Sequence, residues 1–185
     1  MLRSRAPGSQ VGGTAGAWRT LFILGGARSG KSRFAERVLA GFASKTYIET
    51  AQGFDDEMRE RILAHQARRN ESWSTADAPI HLSQAIESAA GQPVLVDCLT
   101  LWLTNLMLAE HDIEAATEGL VATLKTAPGP LVLVSNEVGL GLVPDTPLGR
   151  RFRDAQGRLN QTVAANVDTA VFVAAGLPMT LKGIL

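Results

Sequence analysis

Short, mostly apolar runs alternate along this chain with longer segments that are apolar on one side. The runs have the length of β-strands and occupy residues 21–24, 46–48, 94–96, 131–134 and 170–174. The longer segments repeat their apolar residues at helical spacing and occupy residues 32–40, 55–69, 80–89, 99–108, 113–124 and 148–165. This alternation predicts an α/β fold with a mostly parallel sheet, which the run at 170–174 closes.

The composition narrows the class of protein. The 185 residues are 45% hydrophobic, and 18 Lys and Arg balance 18 Asp and Glu. Nucleic-acid-binding domains usually carry a basic excess, and a membrane span needs roughly 20 apolar residues in a row. The chain has neither feature, and its single cysteine, Cys98, fits a reducing compartment. We therefore expect a cytoplasmic protein that binds a small molecule, without nucleic-acid partners or a membrane span.

Residues 1–19 differ from the rest of the chain. They contain four glycines together with Arg3, Arg5 and Pro7, and almost nothing that could be buried. They also lack the apolar centre of a secretory signal. We expect a flexible N-terminal arm at residues 1–19, followed by a single domain at residues 20–185.

The strongest chemical signal lies between the first predicted strand and the first predicted helix. Residues 25–32 fit the pattern G-x-x-x-x-G-K-[ST] and are Gly25, Gly26, Ala27, Arg28, Ser29, Gly30, Lys31 and Ser32. In such a P-loop, backbone N–H groups converge on phosphate oxygens, Lys31 reaches the β- and γ-phosphates, and the Ser32 hydroxyl can ligate Mg²⁺. A glycine-rich turn could match by chance, but the flanking strand and helix favour a nucleotide site.

An acidic residue usually accompanies a P-loop at the end of a neighbouring hydrophobic strand, where it holds the magnesium ion. Asp97 follows the run at residues 94–96 and occupies such a place. A helix N-cap is the structural alternative for Asp97, and Asp112 and Asp145 remain alternatives for the metal role. We predict that Ser32 and Asp97 are the metal residues.

A histidine lies on one of the predicted helices. Its spacing puts His65 on the face of Met58 and Ile62, with Arg61 and Arg69 one turn before and after it. The two guanidinium groups suggest polyphosphate binding and disfavour the charged imidazolium, and an imidazole must be neutral to attack phosphorus. A packed core histidine with solvated arginines has the same spacing, so spacing alone leaves both interpretations open.

The loop after the run at 131–134 also carries polar and glycine residues. Asn136, Glu137, Gly139 and Gly141 lie where ligands of open α/β folds bind. Substrate binding or loop closure is one interpretation. Capping of the strand and ordering of the loop is the other.

Several sequence blocks, in order, carry a family resemblance. They occupy residues 25–33, 47–52, 55–65, 73–77, 96–106, 135–144 and 152–161, and the block at 136–144 is far more specific than the P-loop. On these blocks, residues 21–182 resemble the bifunctional adenosylcobinamide kinase / adenosylcobinamide-phosphate guanylyltransferase of cobalamin biosynthesis. The resemblance implies a RecA-like P-loop fold, a three-layer sandwich around a mostly parallel sheet.

The resemblance implies two reactions at one nucleotide site. First, GTP or ATP phosphorylates the hydroxyl of the aminopropanol arm of adenosylcobinamide. Then a histidine attacks the α-phosphate of GTP, and the new substrate phosphate displaces GMP from it to give adenosylcobinamide-GDP. His65 matches the guanylylated histidine, so the resemblance implies that His65 and Lys31 are catalytic. It also implies a homo-oligomer, a trimer, in which a subunit interface could complete each site.

The resemblance also assigns nucleotide contacts outside the P-loop. The matching positions are Glu49, Thr50, Ala51, Gln66, Ala67, Arg68, Arg69, Asp77 and Asp97. The carboxylate of Asp77 or Asp97 could accept the guanine N–H donors that adenine lacks. Relatives commonly have a small residue where Glu49 stands. Two other functions stay open on the residues alone: a plain P-loop kinase in which His65 is incidental, and a nucleotide-switched interaction module.

Overall fold

A single sheet organises the described residues, which are 18–52, 56, 60, 69–89 and 91–185 of a computed structural model. Its order is β3-β2-β4-β5-β1-β6-β7, and only the β6–β7 pair is antiparallel. The strands are β1 (Thr20–Gly25), β2 (Lys45–Glu49), β3 (Trp73–Asp77), β4 (Val94–Asp97), β5 (Leu131–Asn136), β6 (Thr169–Ala174) and β7 (Leu177–Lys182). The mostly parallel sheet predicted from the sequence is confirmed.

Helices cover both faces of the sheet. They are α1 (Lys31–Val38), α2 (Leu82–Ser88), α3 (Leu99–Leu108), α4 (Ile113–Thr126) and α5 (Pro147–Asn166). Residues of α1 pack in the core on one face, and buried residues of α2 to α5 form the core on the other. The described elements therefore form the predicted three layers. None of these helices is long and apolar enough to cross a membrane.

Alternation within β1 explains why its sequence is apolar throughout. Leu21 and Ile23 belong to the core that contains Phe34 of α1, whereas Phe22 and Leu24 belong to the core on the opposite face. Successive side chains of a strand point to opposite faces, so a strand covered on both sides needs apolar residues at every position. The same burial applies to the runs in β4 and β5.

Side-chain caps fix the beginnings of two helices. The Asp112 carboxylate accepts the N–H of Ala115 at 3.0 Å at the start of α4. Thr146 Oγ1 accepts the N–H of Gly149 at 3.1 Å before α5, whose first residue is a proline. Such caps satisfy N–H groups that lack helical partners. Asp112, an alternative metal residue on sequence grounds, therefore has a structural role.

Two edge strands, β3 and β7, were not predicted, and the sheet does not end at β6. The sequence of β3, WSTAD, is polar and largely exposed, and the sequence of β7, LPMTLK, contains a proline. Edge strands are covered on fewer sides, so they lack the continuous apolar pattern of central strands. β3 and β7 are strands because they pair with β2 and β6, and the pattern of apolar residues along the sequence does not show this pairing.

Two other predictions fall largely on residues outside the described ranges. In the helix predicted at 55–69, Asp56 and Glu60 are helical and Arg69 is not, so the helix ends before its predicted last residue. Of the predicted N-terminal arm, Trp18 and Arg19 are described. Trp18 packs against the core on the α1 face, and the N–H of Arg19 donates to Asp168 Oδ2 at 2.8 Å. Trp18 and Arg19 therefore make contacts with the folded domain, and the rest of the predicted arm lies outside the described residues.

Candidate nucleotide site

The glycine-rich loop lies between β1 and α1, as the motif predicted. Within it the N–H of Ser29 donates to Gly26 O at 3.3 Å, and Lys31 Nζ donates to the same carbonyl at 3.2 Å. Gly30 precedes α1 in a left-handed conformation, with φ of 96°, and makes no side-chain cap. The P-loop therefore leads directly into the N-terminus of α1, where the helix dipole and the main-chain N–H groups favour an anion.

The turn between β6 and β7 packs against this loop. The N–H of Gly176 donates to Ser29 O at 2.8 Å, and a Cβ on Gly30 would lie 3.2 Å from Gly176 Cα. A Cβ on Gly25 would lie 2.5 Å from Ser29 Oγ and 2.6 Å from Val173 O. Close packing therefore requires glycine at Gly25, and the left-handed φ together with a tight contact favours glycine at Gly30. Sequence reasoning missed this support because it comes from residues about 145 positions away.

Asp97 ends β4 at the same edge of the sheet and is half-buried. The sequence interpretation assumed that β4 is next to β1, the strand before the P-loop. In the structure β5 lies between β1 and β4. Cys98, and not Asp97, is the N-cap residue of α3, so the capping alternative is wrong. Tyr47 Oη donates to Asp97 Oδ2 at 2.9 Å. Burial and then the Asp97 charge raise the pKa of Tyr47, so the phenol remains a donor.

Thr50 is fully buried and forms two hydrogen bonds with the main chain of Cys98, the residue after Asp97. Its hydroxyl accepts the N–H of Cys98 at 2.9 Å and donates to Cys98 O at 2.7 Å. Asn105 Nδ2 donates to Thr50 O at 2.8 Å. Burial, and then the neighbouring Asp97, raise the pKa of the Cys98 thiol to about 11. The predicted contact residue Thr50 thus also joins the ends of β2 and β4.

Glu49 and Arg69, two of the predicted nucleotide contacts, form a buried ion pair. Arg69 Nη2 lies 3.4 Å from each carboxylate oxygen of Glu49. The side chain of Arg69 is 5% exposed and that of Glu49 is 7% exposed. Arg69 Nη1 donates to Thr75 Oγ1 at 2.8 Å, and the guanidinium carbon lies 3.7 Å from the centre of the Tyr47 ring. Arg69 Nε is buried without a hydrogen-bond partner among the described residues. The pair bridges β2 to Arg69, the last residue of the helix predicted at 55–69.

The remaining predicted contacts separate into two groups. Ala51 is half-buried after β2, and Asp77 is exposed at the end of β3, opposite Glu49 in the sheet register. Asp77 also borders a cavity of about 720 Å³ that lies between β3 and α2. The second group lies outside the described residues and consists of His65, Gln66, Ala67 and Arg68. Their predicted roles stay predictions.

The loop after β5 is held by side chains. Glu137 Oε1 accepts the N–H of Gly139 at 2.5 Å, and Arg153 Nη2 donates to Gly139 O at 2.7 Å. Arg150 Nη1 donates to the carbonyls of Pro144 and Asp145 at 3.0 and 2.8 Å. Glu137 therefore orders the loop, which was one of its two interpretations. The sequence did not indicate the tethering arginines.

Solved structures of other proteins share the fold. The flagellar accessory protein FlaH from Methanocaldococcus jannaschii matches with a TM-score of 0.50 and 13% identity over 89% of this chain and 78% of that one. An ATPase from the type III secretion system of pathogenic bacteria matches with a TM-score of 0.52 and 12% identity over 88% and 56%. At such low identity the likeness concerns the fold alone, and it confirms the predicted RecA-like α/β fold.

Sequence comparisons identify the family. The family model described as cobinamide kinase / cobinamide phosphate guanyltransferase matches residues 21–181. A bifunctional adenosylcobalamin biosynthesis protein of Pseudomonas aeruginosa is 50% identical over 87% of this chain and 96% of its own length. Its namesake from Escherichia coli is 37% identical over 88% and 99%. This chain belongs to the cobinamide kinase / cobinamide phosphate guanyltransferase family.

Proposed function

We propose that the P-loop binds the GTP or ATP used to phosphorylate adenosylcobinamide, and that the same site then transfers GMP. The carrying observation is the placement of residues 25–32 between β1 and α1, with Asp97 at the same edge of the sheet. Backbone donors, the Lys31 ammonium and a nearby carboxylate supply the positioning and charge neutralisation that phosphoryl transfer needs.

In the proposed kinase step, the hydroxyl of the aminopropanol arm attacks the γ-phosphorus. The bond from that phosphorus to the β-bridging oxygen breaks, the nucleoside diphosphate leaves, and the hydroxyl proton is released to solvent. Lys31 Nζ, which donates to Gly26 O, lies at the loop where the β- and γ-phosphates would bind. The step needs no covalent bond to the protein.

In the proposed guanylyl transfer, His65 is the nucleophile. One imidazole nitrogen attacks the α-phosphorus of GTP, the bond to the β-phosphate oxygen breaks, and pyrophosphate leaves. The phosphate of the phosphorylated substrate then attacks the same phosphorus, breaks the P–N bond and restores the imidazole. A covalent intermediate divides a displacement between two anions into two steps with good leaving groups.

Ser32 and Asp97 are the residues proposed to hold Mg²⁺ with the nucleotide. A hydroxyl and a carboxylate are the oxygen ligands that Mg²⁺ prefers, and this ion usually takes one or two carboxylates together with substrate phosphates. Asp97 Oδ2 accepts one hydrogen bond, from Tyr47, and a carboxylate has further lone pairs for a cation. When bound, the ion neutralises charge on the phosphates. With Asp97 proposed to hold the metal, Asp77, which is exposed at the end of β3, is the carboxylate that we propose for the guanine donors.

The proposal includes a homo-oligomer, and the last strand supports it. Leu177, Met179 and Leu181 of β7 alternate along the edge strand and are 70%, 52% and 60% exposed. An apolar strip on an edge strand is a typical place for another chain to pack. Analytical ultracentrifugation of the full chain at several concentrations would show a trimer if this proposal holds and a monomer if it fails.

Labelling with GTP tests the histidine. The full chain is incubated with Mg²⁺ and α-³²P-GTP, denatured, and examined for acid-labile, base-stable label, in parallel with His65→Ala and the control His111→Ala. His111 is exposed and has no motif around it. We expect label on the unmodified chain and on His111→Ala, released by adenosylcobinamide phosphate, and none on His65→Ala. A chain that phosphorylates adenosylcobinamide without ever becoming labelled would instead be a plain kinase.

A further inference from the structure

Asn136 is the last residue of β5, the strand between those of the P-loop and Asp97. In the register of the sheet Asn136 lies opposite Gly25 of β1, and Asp97 of β4 lies opposite Val134 of the same strand. The carboxyl edge thus runs from the start of the P-loop through Asn136 to Asp97. For Asn136 the sequence left two interpretations open, which are substrate binding and capping of the strand.

The side chain of Asn136 lies on the α1 face of the sheet. Val132 and Val134 pack in the core with α1, whereas the hydroxyl of Ser135 donates to Asn160 Oδ1 of α5 on the other face. Since side chains alternate along a strand, Asn136 shares the face of Val134. This is the face on which the P-loop leads into α1, with Lys31 as the first helical residue.

The backbone of Asn136 is fixed on both sides. Its N–H donates to Thr100 Oγ1 at 2.8 Å, and its carbonyl accepts Asn160 Nδ2 at 3.1 Å. Gln156 Nε2 in turn donates to Ser135 Oγ at 3.0 Å and to Asn160 Oδ1 at 2.9 Å. These hydrogen bonds tie the main chain of Asn136 to α3 and α5, although Gln156 Oε1 in the same network has no partner among the described residues.

The carboxamide of Asn136, by contrast, has no hydrogen-bond partner among the residues that the structure describes, and the residue is half-buried. All of the polar contacts of Asn136 are made by its main chain. The main chain fixes where this side chain starts, and its unused Nδ2 donors are available to a ligand at the edge of the sheet. The nearest element in the sheet register is the start of the P-loop at Gly25, which is proposed to hold the phosphate chain of the nucleotide.

We propose that Asn136 is a catalytic residue of the kinase step and that its Nδ2 donates a hydrogen bond to an oxygen of the γ-phosphoryl group during transfer. The inference rests on the proposed function of the P-loop. In phosphoryl transfer, charge is spread over the equatorial oxygens of the moving group, and a fixed donor directed at one of them stabilises the transition state. Asn136 exchanges no proton and forms no covalent bond in this step.

Kinetics of two Asn136 variants test the proposal. For Asn136→Ala we expect the kcat of adenosylcobinamide phosphorylation to fall about 10²-fold, with the Kd for GTP unchanged. Asn136→Asp keeps the shape but replaces the donor by a negative charge, so its kcat should be lower still. Attachment of α-³²P-GMP to the chain should persist in both variants. Asn166→Ala is the matched control, because Asn166 Nδ2 donates to Thr162 O within its own helix.

Three results would overturn the inference. Unchanged kcat in Asn136→Ala would show that the carboxamide does not act on the phosphoryl group. Higher kcat in Asn136→Asp than in Asn136→Ala would show that an acceptor, and not a donor, is needed. Loss of both GTP binding and kcat would show that Asn136 maintains the structure of the carboxyl edge of the sheet and does not act on the phosphoryl group. If the unmodified chain phosphorylated no adenosylcobinamide, the proposed function itself would fail, a result distinct from these three, and the inference would fail with it.

Discussion

The two ends of the carboxyl edge of the sheet are built on different principles. At the phosphate end, residues 25–32 present main-chain groups, and close packing with Val173 and Gly176 leaves no room for side chains at Gly25 and little at Gly30. At the arginine end, Glu49 and Arg69 pair their charges and the guanidinium lies over the Tyr47 ring, while Arg69 Nε has no hydrogen-bond partner among the described residues. The first end is shaped for a ligand, whereas the second is stabilised by paired charges.

This difference predicts that the two ends fail in different ways. Adding a methyl group should damage the phosphate end, where space is limiting. Removing a charge should damage the arginine end, where a buried ion would lose its partner. Substitutions at Glu49, Arg69 and Gly25 test this contrast, and the predictions are given in order of decreasing expected effect.

Glu49→Gln should produce the largest loss of stability. Breaking a buried pair leaves the other charge uncompensated, which costs about 3–5 kcal/mol. We expect about 3 kcal/mol, since Arg69 keeps its bond to Thr75. Urea unfolding measures the change, with Glu118→Gln, on the exposed side of α4, as the matched control.

The double variant Glu49→Gln/Arg69→Gln sharpens this prediction. If the cost of Glu49→Gln arises from the stranded Arg69 charge, the double variant should be more stable than the sum of the two single effects. Strict additivity would mean that the pair has no coupling energy and that the arginine end is not held by it.

Gly25→Ala should destabilise the phosphate end by about 2 kcal/mol, because overpacking of a closed site costs about 1–3 kcal/mol. The new methyl group would lie 2.6 Å from the Val173 carbonyl oxygen, which belongs to the backbone and cannot turn aside. Gly26→Ala is the control for stability, since no atom of the described residues lies within 4 Å of its Cβ position. Equal melting temperatures for the two variants would contradict the packing argument.

Alkaline pH probes Cys98, which lies at the boundary between the two ends. Its folded pKa of about 11 is above the ordinary value of 9.0, so the unfolded chain loses the thiol proton first. The stability that this group contributes is therefore complete below about pH 9 and is lost as the pH rises to about 11. At about pH 10 the loss should be about 1.4 kcal/mol.

The pH slope of Cys98→Ala isolates this contribution. Unfolding by urea at about pH 8 and pH 10 should show a smaller alkaline loss in Cys98→Ala than in the unmodified chain. The loss that remains belongs to other groups, Tyr47 among them. Identical slopes for the two chains would mean that the thiol is not held protonated in the fold.

Most of the fold and the P-loop could be predicted from patterns of neighbouring residues in the sequence. Central strands such as β4 and β5 are apolar at nearly every position because helices cover both faces, so the sequence records their burial. The P-loop was predictable because its glycines, Lys31 and Ser32 are contiguous and lie between a strand and a helix. Both signals need only neighbouring residues.

The remaining features depend on contacts between distant residues. Arg69 meets Glu49 across 20 positions, and Gly176 meets Ser29 across nearly 150, so no local spacing could reveal either pair. The insertion of β5 between β1 and β4 is a topological fact, and it is what gives Asn136 its place between the P-loop and Asp97. Edge strand β3 owes its existence to pairing with β2 and not to its own sequence.

The central claim is that one P-loop serves two reactions and that His65 serves only the second. The most direct measurement follows γ-³²P transfer to adenosylcobinamide and α-³²P attachment to the protein in parallel, using the unmodified chain, Lys31→Ala and His65→Ala. We predict that Lys31→Ala loses both signals, whereas His65→Ala loses the α-³²P signal and keeps phosphoryl transfer. Full α-³²P attachment in Lys31→Ala, or loss of both signals in a folded His65→Ala, would contradict the account.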